Sequence, residues 1–263
     1  MNGLIYLFKT MTKIPMPMMK DRNDDVLGKS MKFFPIVGMV IGIILLLFGY
    51  LPQIIKIPYG SPVLVVIIVI VEIVLTGGMH LDALASTFDS IFKYRSKQKM
   101  LDNMKEIKDG KGIGASGCLI LITIILFKVV LLSDVMFRPE GRYSSMFIIL
   151  VMPVIGRLNC LVNCGTIKGA KSTGLGRIFS DNTKGVDVII GLILSVVYIV
   201  AVIFYLDISI LALVIVPITL VLGFLFGKWM EIRIGGVTGE TLGALIELTE
   251  VVTILVWLII SRC

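Results

Sequence analysis

Charge is scarce in this 263-residue chain. Asp, Glu, Lys and Arg together make up 16% of it, and histidine occurs once, as His80. Soluble domains carry about 25% charged and about 45–50% apolar residues. Here 57% of residues are hydrophobic, and the mean hydropathy is +0.99. No soluble core absorbs that much apolar surface, because exposed area falls too slowly with chain size. A soluble enzyme, a disordered regulator and a secreted disulfide scaffold are thereby excluded. Cysteine is also sparse: Cys118, Cys160, Cys164 and Cys263 are the only four. Three lie in apolar stretches, where a thiol is a small buried hydrophobe. Cys160 and Cys164 share a helix face but have no His or Asp nearby to complete a metal site. No cleavable signal peptide is expected, since residues 1–32 carry six basic residues and only a short apolar run. No tandem repeat or low-complexity linker is visible. What remains is a polytopic membrane protein.

Crossing about 30 Å of hydrocarbon takes roughly 17–25 helical residues. Seven segments qualify: Phe33–Leu51, Pro62–Met79, Gly117–Ser133, Met146–Cys164, Val188–Tyr205, Ile208–Trp229 and Thr241–Ile260. They predict an all-α bundle of about seven transmembrane helices in a single membrane-embedded domain over residues 1–263. Only Leu206 and Asp207 separate the fifth and sixth, which predicts a tight helical hairpin. Leu4–Thr12 reads as an N-terminal interfacial helix, too short to cross.

Basic residues orient the bundle. The chain has 25 Lys and Arg against 18 Asp and Glu, for a net charge of +7. In a membrane protein such an excess reflects cytoplasmic loops facing anionic lipid and gives no case for a nucleic-acid partner. On seven spans, nineteen Lys and Arg fall in one set of alternate segments and four in the other. The richer set is expected in the cytoplasm, with the N-terminus inside and the C-terminus outside. The Pro52–Ser61 and Asp134–Ser145 loops on the outer face read as plain connectors.

Unusual polar patterning collects on the inner face. After the second span comes Leu75-Thr76-Gly77-Gly78-Met79-His80-Leu81-Asp82, then Ser86 and Asp89. The glycines allow a turn or close packing at the membrane edge. On a helix, Asp82, Ser86 and Asp89 share one face. Carboxylates so spaced can hold a hard cation that in turn binds phosphate; an amphipathic helix with a solvated acidic side fits the same pattern. A lone histidine such as His80 can be structural or catalytic. The stretch Asp109-Gly110-Lys111-Gly112-Ile113-Gly114-Ala115-Ser116-Gly117 precedes the third span. Its amides and Lys111 suit an anion at a helix N-terminus, or form a flexible entry loop. Gly174-Leu175-Gly176-Arg177 is a short basic turn of low specificity.

The last inner loop and seventh span contain Gly235-Gly236-Val237-Thr238-Gly239-Glu240, with Gly243, Glu247 and Glu250 following. Glu240, Glu247 and Glu250 line one helical face. At 1.5 Å per residue Glu250 is roughly 15 Å deep. An ionisable group there costs a few kcal/mol unless it faces a cavity or a partner. Glu72, Lys128 and Arg157 are further intramembrane charges, and Arg157 could pair with one of the glutamates. A polar cavity open to the cytoplasm is expected.

These blocks resemble a known family. Gly77-Gly78-Met79-His80-Leu81-Asp82 is similar to the G-G-x-H-x-D signature of the cobalamin-5′-phosphate synthases, also called adenosylcobinamide-GDP ribazoletransferases. So are Phe34-Pro35-Ile36-Val37-Gly38, Gly174-Leu175-Gly176 and, above all, Gly235-Gly236-Val237-Thr238-Gly239-Glu240-Thr241-Leu242-Gly243-Ala244. Phe8-Lys9-Thr10-Met11-Thr12-Lys13-Ile14-Pro15-Met16-Pro17 resembles the family's opening. The blocks run in family order over nearly the whole chain. Where the family reads H-L-D-G-L-A-D-x-x-D-G, this chain has Ala83, Ser86 and Ser90, and Glu240 stands where an aspartate is usual. The Lys105–Gly117 region is a few residues longer than usual.

The resemblance implies a magnesium-dependent transferase in the late nucleotide-loop assembly of cobalamin. It would join adenosylcobinamide-GDP to α-ribazole, or its 5′-phosphate, and release GMP. Asp82 and Asp89 are then first candidates for magnesium ligands, with Glu240 and Glu247 as further ones. His80 could take the ribazole proton. Lys111, Arg157 and Arg177 are candidate phosphate partners, with Gly114, Gly174, Gly176, Gly235, Gly236, Thr238 and Gly239 as the backbone cradle. The site would face the cytoplasm from the cell membrane; a homo-oligomer or a complex with other cobalamin-pathway proteins stays open. A CDP-alcohol phosphotransferase would need a D-x-x-D-G-x-x-A-R pattern that is missing here. A secondary transporter would use Glu72, Lys128, Glu247 and Glu250 as a coupling path, but no internal repeat supports it.

Overall fold

The computed structural model describes residues 2–17, 24–50, 61–138 and 141–261. Most of the Pro52–Ser61 connector and Cys263 lie outside them. We number the helices α1 (Asn2–Met11), α2 (Asp24–Lys29), α3 (Phe34–Gly49), α4 (Pro62–Thr76), α5 (Met79–Lys93) and α6 (Lys97–Lys108). There follow α7 (Ala115–Phe137), α8 (Gly141–Thr166), α9 (Leu175–Asn182), α10 (Gly185–Tyr205), α11 (Ile215–Ile234) and α12 (Gly239–Ile260). Short 3₁₀ turns at Met31–Phe33 and Ile210–Val214 lead into α3 and α11.

Among the described residues, six stretches are each long and apolar enough to cross a membrane: α3 with its 3₁₀ lead-in, α7, α8, α10, α11 with its lead-in, and α12. The second expected span is different. α4 has only 15 residues, and α5 leaves it at 88° after a two-residue break. The pair passes as one broken crossing, which brings the total to seven. The boundary follows from the sequence: Ser61 caps α4 by accepting from Val63 N at 3.3 Å, Pro62 takes the first helical position, and Gly77 ends the helix with φ 64°.

α8 is the central column. Within its membrane-length window 94% of residues are buried, against 28% for α7 and α10. Two G-x-x-x-G pairs let neighbours approach it closely, as small residues do in membranes. Gly38 and Gly42 of α3 face the Pro153 and Leu150 backbone, and Gly223 and Gly227 of α11 receive Asn159 and Asn163. Asn163 Nδ2 donates to the Gly223 carbonyl at 3.1 Å.

Two expectations change here. The fifth and sixth spans do not form a tight hairpin: Asp207 turns the chain at φ 54°, and the Ile210–Val214 turn intervenes. α10 packs on α8 and α3, whereas α11 packs on α8, α12 and α6. The N-terminal helix α1 packs on α2 and α3, with Leu7, Phe8 and Met11 buried against the protein.

Candidate active site

The polar segments gather at the end of the bundle where α7 and α12 begin. Gly77 and Gly78 both adopt left-handed backbone, φ 64° and 69°. That lets one helix stop and the next start at right angles within two residues. Lys13 lies in the resulting notch. Its amide donates to the Leu75 carbonyl at 2.7 Å, and a Cβ on Gly77 would come within 2.2 Å of its Cε.

The turn delivers His80 to the first turn of α5, buried against α12. Gly243 makes the fit possible: a Cβ there would lie 2.5 Å from the Ala83 Cβ and 3.6 Å from His80 Nδ1. His80 Nε2 is buried with no hydrogen-bond partner among the described residues. Asp82 is exposed and has no ion-pair partner among the described residues.

Two distant glycine segments meet beside this helix pair. A parallel bridge joins Gly169 to Val237, with Ala170 N donating to Val237 O at 2.8 Å and Val237 N to Lys168 O at 2.9 Å. Gly236, at φ 147°, lets the two segments close, since a Cβ would meet Lys168 O at 2.2 Å. A Cβ on Gly176 would lie 2.7 Å from the Thr238 backbone. Thr238 caps α12 by accepting from Thr241 N at 3.2 Å. Gly174, Gly176, Gly235, Gly236, Thr238 and Gly239 therefore gather in one junction, with Gly174, Gly235 and Gly239 toward its surface and Gly176, Gly236 and Thr238 buried within it. Two lysines that sequence reasoning missed border it. Lys171 Nζ is 3.5 Å from Glu240, and Lys97 Nζ lies only 2.0 Å from where a Gly235 Cβ would be.

Beneath that surface is a buried ionic cluster. Lys128 Nζ is 2.7 Å from Glu72, 2.6 Å from Glu250 and 3.5 Å from Glu247. Arg157 pairs with the other oxygen of Glu250 and donates to the Pro153 carbonyl at 3.3 Å. Buried charges persist only when so paired. A cavity of about 10 Å³, room for one water, touches Glu72, Lys128 and Glu247. Most of the polar cavity expected from the sequence is instead filled by these side chains.

The expected metal and phosphate sets are divided accordingly. Asp82 and Asp89 do not share an open face. Asp89 is 1% exposed and accepts hydrogen bonds from Ser116 Oγ at 2.7 Å and Asn103 Nδ2 at 3.3 Å. The Gly114 and Gly117 amides lie alongside it. A carboxylate of the protein thus occupies the α7 N-terminus where the sequence suggests phosphate, and Asp89 and the Gly114 amide are bonded to each other in this arrangement. Glu247 is engaged in the deep cluster. Among the described residues no three His, Cys, Asp or Glu side chains converge as a preformed ion site. Arg157 is sequestered by Glu250, and Arg177 pairs with Asp181 at 2.5 Å. Lys111 is bonded to Glu106, which holds its ammonium above the ordinary lysine value.

The family described as cobalamin-5-phosphate synthase matches residues 3–258. The chain belongs to that family. Among its relatives is the adenosylcobinamide-GDP ribazoletransferase of Fusobacterium nucleatum, 37% identical over 99% of this chain and 98% of the relative. Proteins of the same name from Caldanaerobacter subterraneus and Clostridioides difficile are each 33% identical, over 96% of this chain and 96% and 95% of their own. No solved structure matches the chain. On this cobalamin-5-phosphate synthase fold, the Gly77–Asp82 signature forms the α4–α5 elbow and the Gly235–Ala244 signature forms the bridged loop and first turns of α12. The two signatures touch at His80 and Gly243, with Ala83 packed on the same glycine.

Proposed function

We propose that this protein joins adenosylcobinamide-GDP to α-ribazole, or to α-ribazole 5′-phosphate, with release of GMP, at the cytoplasmic face of the cell membrane. The observation that carries the reading is the junction of two glycine loops through the Gly169–Val237 bridge, directly beside the His80–Gly243 contact. It sets two lysines along the Gly235–Glu240 loop and, one turn further along α12, packs Gly243 on a buried imidazole whose Nε2 is unengaged among the described residues. A pyrophosphate needs such positioning and charge compensation, because phosphoryl transfer asks little covalent chemistry of the protein. The cytoplasmic assignment rests on the basic residues of the loops at this end.

Magnesium fits two of the four expected ligands. It commonly takes one or two carboxylates and completes its shell with water and substrate phosphates. Asp82 is exposed and unpaired among the described residues, and Glu240 is only partly covered, on helices that pack together at Ala83 and Gly243. These two would hold the ion. When bound, magnesium supplies neutralisation of the pyrophosphate charge. The chain's residues do the rest. The loops orient the guanosine diphosphate, and His80 Nε2, covered by α12 in the free protein, takes the proton of the attacking ribazole hydroxyl once substrate opens that contact. That oxygen bonds the phosphorus nearer cobinamide as the P–O bond to GMP breaks, and GMP leaves with the electron pair.

The test is to mix purified protein in detergent with adenosylcobinamide-GDP, α-ribazole and magnesium, and to measure GMP and the joined corrinoid together. Equimolar appearance of both supports the reading. GMP without the joined product would mean hydrolysis, and neither product from a folded protein would refute transfer.

A further inference from the structure

We infer that Lys97 is a phosphate-binding residue of this site, holding the pyrophosphate of the guanosine-diphosphate substrate over the Gly235–Gly239 loop. The inference rests on the proposed function and deepens it. An anionic pyrophosphate needs protein cations, yet the three expected from the sequence are committed elsewhere. Arg157 is buried on Glu250, Arg177 is paired to Asp181 within its own helix, and Lys111 is paired to Glu106.

Lys97 differs from all three. It is exposed at the first position of α6, and Ser96 caps that helix, so its stem starts from a fixed backbone. Among the described residues its ammonium has no carboxylate partner. The side chain is nevertheless not directed away from the protein: it bends onto the main chain of Gly235, where a Cβ would lie 2.0 Å from Nζ. Gly235 holds φ 84°, a conformation that already favours glycine. The missing side chain also makes room for the ammonium. Across the same loop, Lys171 is tethered at 3.5 Å to Glu240. One unpaired cation and one loosely paired cation therefore flank the five residues from Gly235 to Gly239. An ammonium is a mobile point charge with three donors, suited to non-bridging phosphate oxygens.

The experiment uses purified full-length protein in detergent and compares the parent with Lys97→Ala, Lys97→Met, Lys97→Arg and the same-helix control Lys99→Ala. KM for adenosylcobinamide-GDP, kcat, and GDP affinity by equilibrium dialysis are measured. Loss of one charge-assisted contact should raise KM and weaken GDP binding roughly tenfold to a hundredfold. Lys97→Met, which keeps the packing stem, should match Lys97→Ala. Lys97→Arg should restore most of the affinity, kcat should change little, and Lys99→Ala should behave as the parent. Unchanged KM and GDP affinity in Lys97→Met, with the parent active, would overturn the inference alone. A folded parent that neither binds GDP nor releases GMP would overturn the proposed function and this inference together.

Discussion

The carboxylate of Asp89 accepts a 2.7 Å hydrogen bond from the hydroxyl of Ser116, in the first turn of α7. Gly114, the residue that should cap α7, has no side chain to do so. Asp89 reaches across from α5 and supplies the missing acceptor. One contact therefore joins the acidic helix to the glycine-rich loop, and gives both features a structural task.

Asp89→Ala should destabilise the protein by about 1–2 kcal/mol, the range for losing a helix cap. A thermal melt in detergent reads this directly. The magnesium concentration for half-maximal GMP release should stay within about twofold of the parent in whatever fraction folds. A large rise in that concentration without loss of stability would restore Asp89 as a metal ligand.

Gly236→Ala should cut the rate of transfer at least tenfold, because a Cβ would collide with Lys168 O and the φ of 147° suits glycine alone. Gly112→Ala is the matched control, since a Cβ there meets nothing within 4 Å. Equal activities in the two variants would show that the bridged loops need not meet for catalysis.

Lys128→Met should be among the most damaging single changes. It leaves Glu72, Glu247 and Glu250 buried together with only Arg157 to balance them. Breaking a buried ion pair costs about 3–5 kcal/mol. At about 2–4 °C per kcal/mol, the melting midpoint should fall by roughly 6–20 °C. A shift under 2 °C would mean the cluster contributes little to stability.

Gly223→Ala should cost about 1–3 kcal/mol by overpacking, because Asn159 Oδ1 sits 2.0 Å from the added methyl. Pairing it with Asn159→Ala should recover part of the loss in the same melt. No recovery would place the strain elsewhere.

Much of this was legible in the chain. Apolar length marks the crossings, and Gly77-Gly78 marks the elbow, because its physics is local. The depth of Glu250 likewise called for a partner, which Arg157 and Lys128 supply. The acidic helix shows where spacing alone stops. Helical spacing put Asp82, Ser86 and Asp89 on one face, but that face is exposed at Asp82 and buried against α7 at Asp89. Only tertiary packing decides which end of a face meets solvent. Lys97 carried no signal at all, since it reaches Gly235 from a helix far away in sequence. The break at Leu206–Asp207 is wider than apolar length suggests, because hydropathy does not register a 3₁₀ turn built from apolar residues.

The most direct measurement is a magnesium titration of GMP release from adenosylcobinamide-GDP and α-ribazole, run on the parent and on Asp82→Ala. Asp82 is exposed, so its removal should leave the melting midpoint unchanged. The expected result is magnesium-dependent release in the parent and a loss of at least a hundredfold in Asp82→Ala. Full, magnesium-dependent activity in Asp82→Ala, or no release from a folded parent, would contradict the site proposed at the α5–α12 junction.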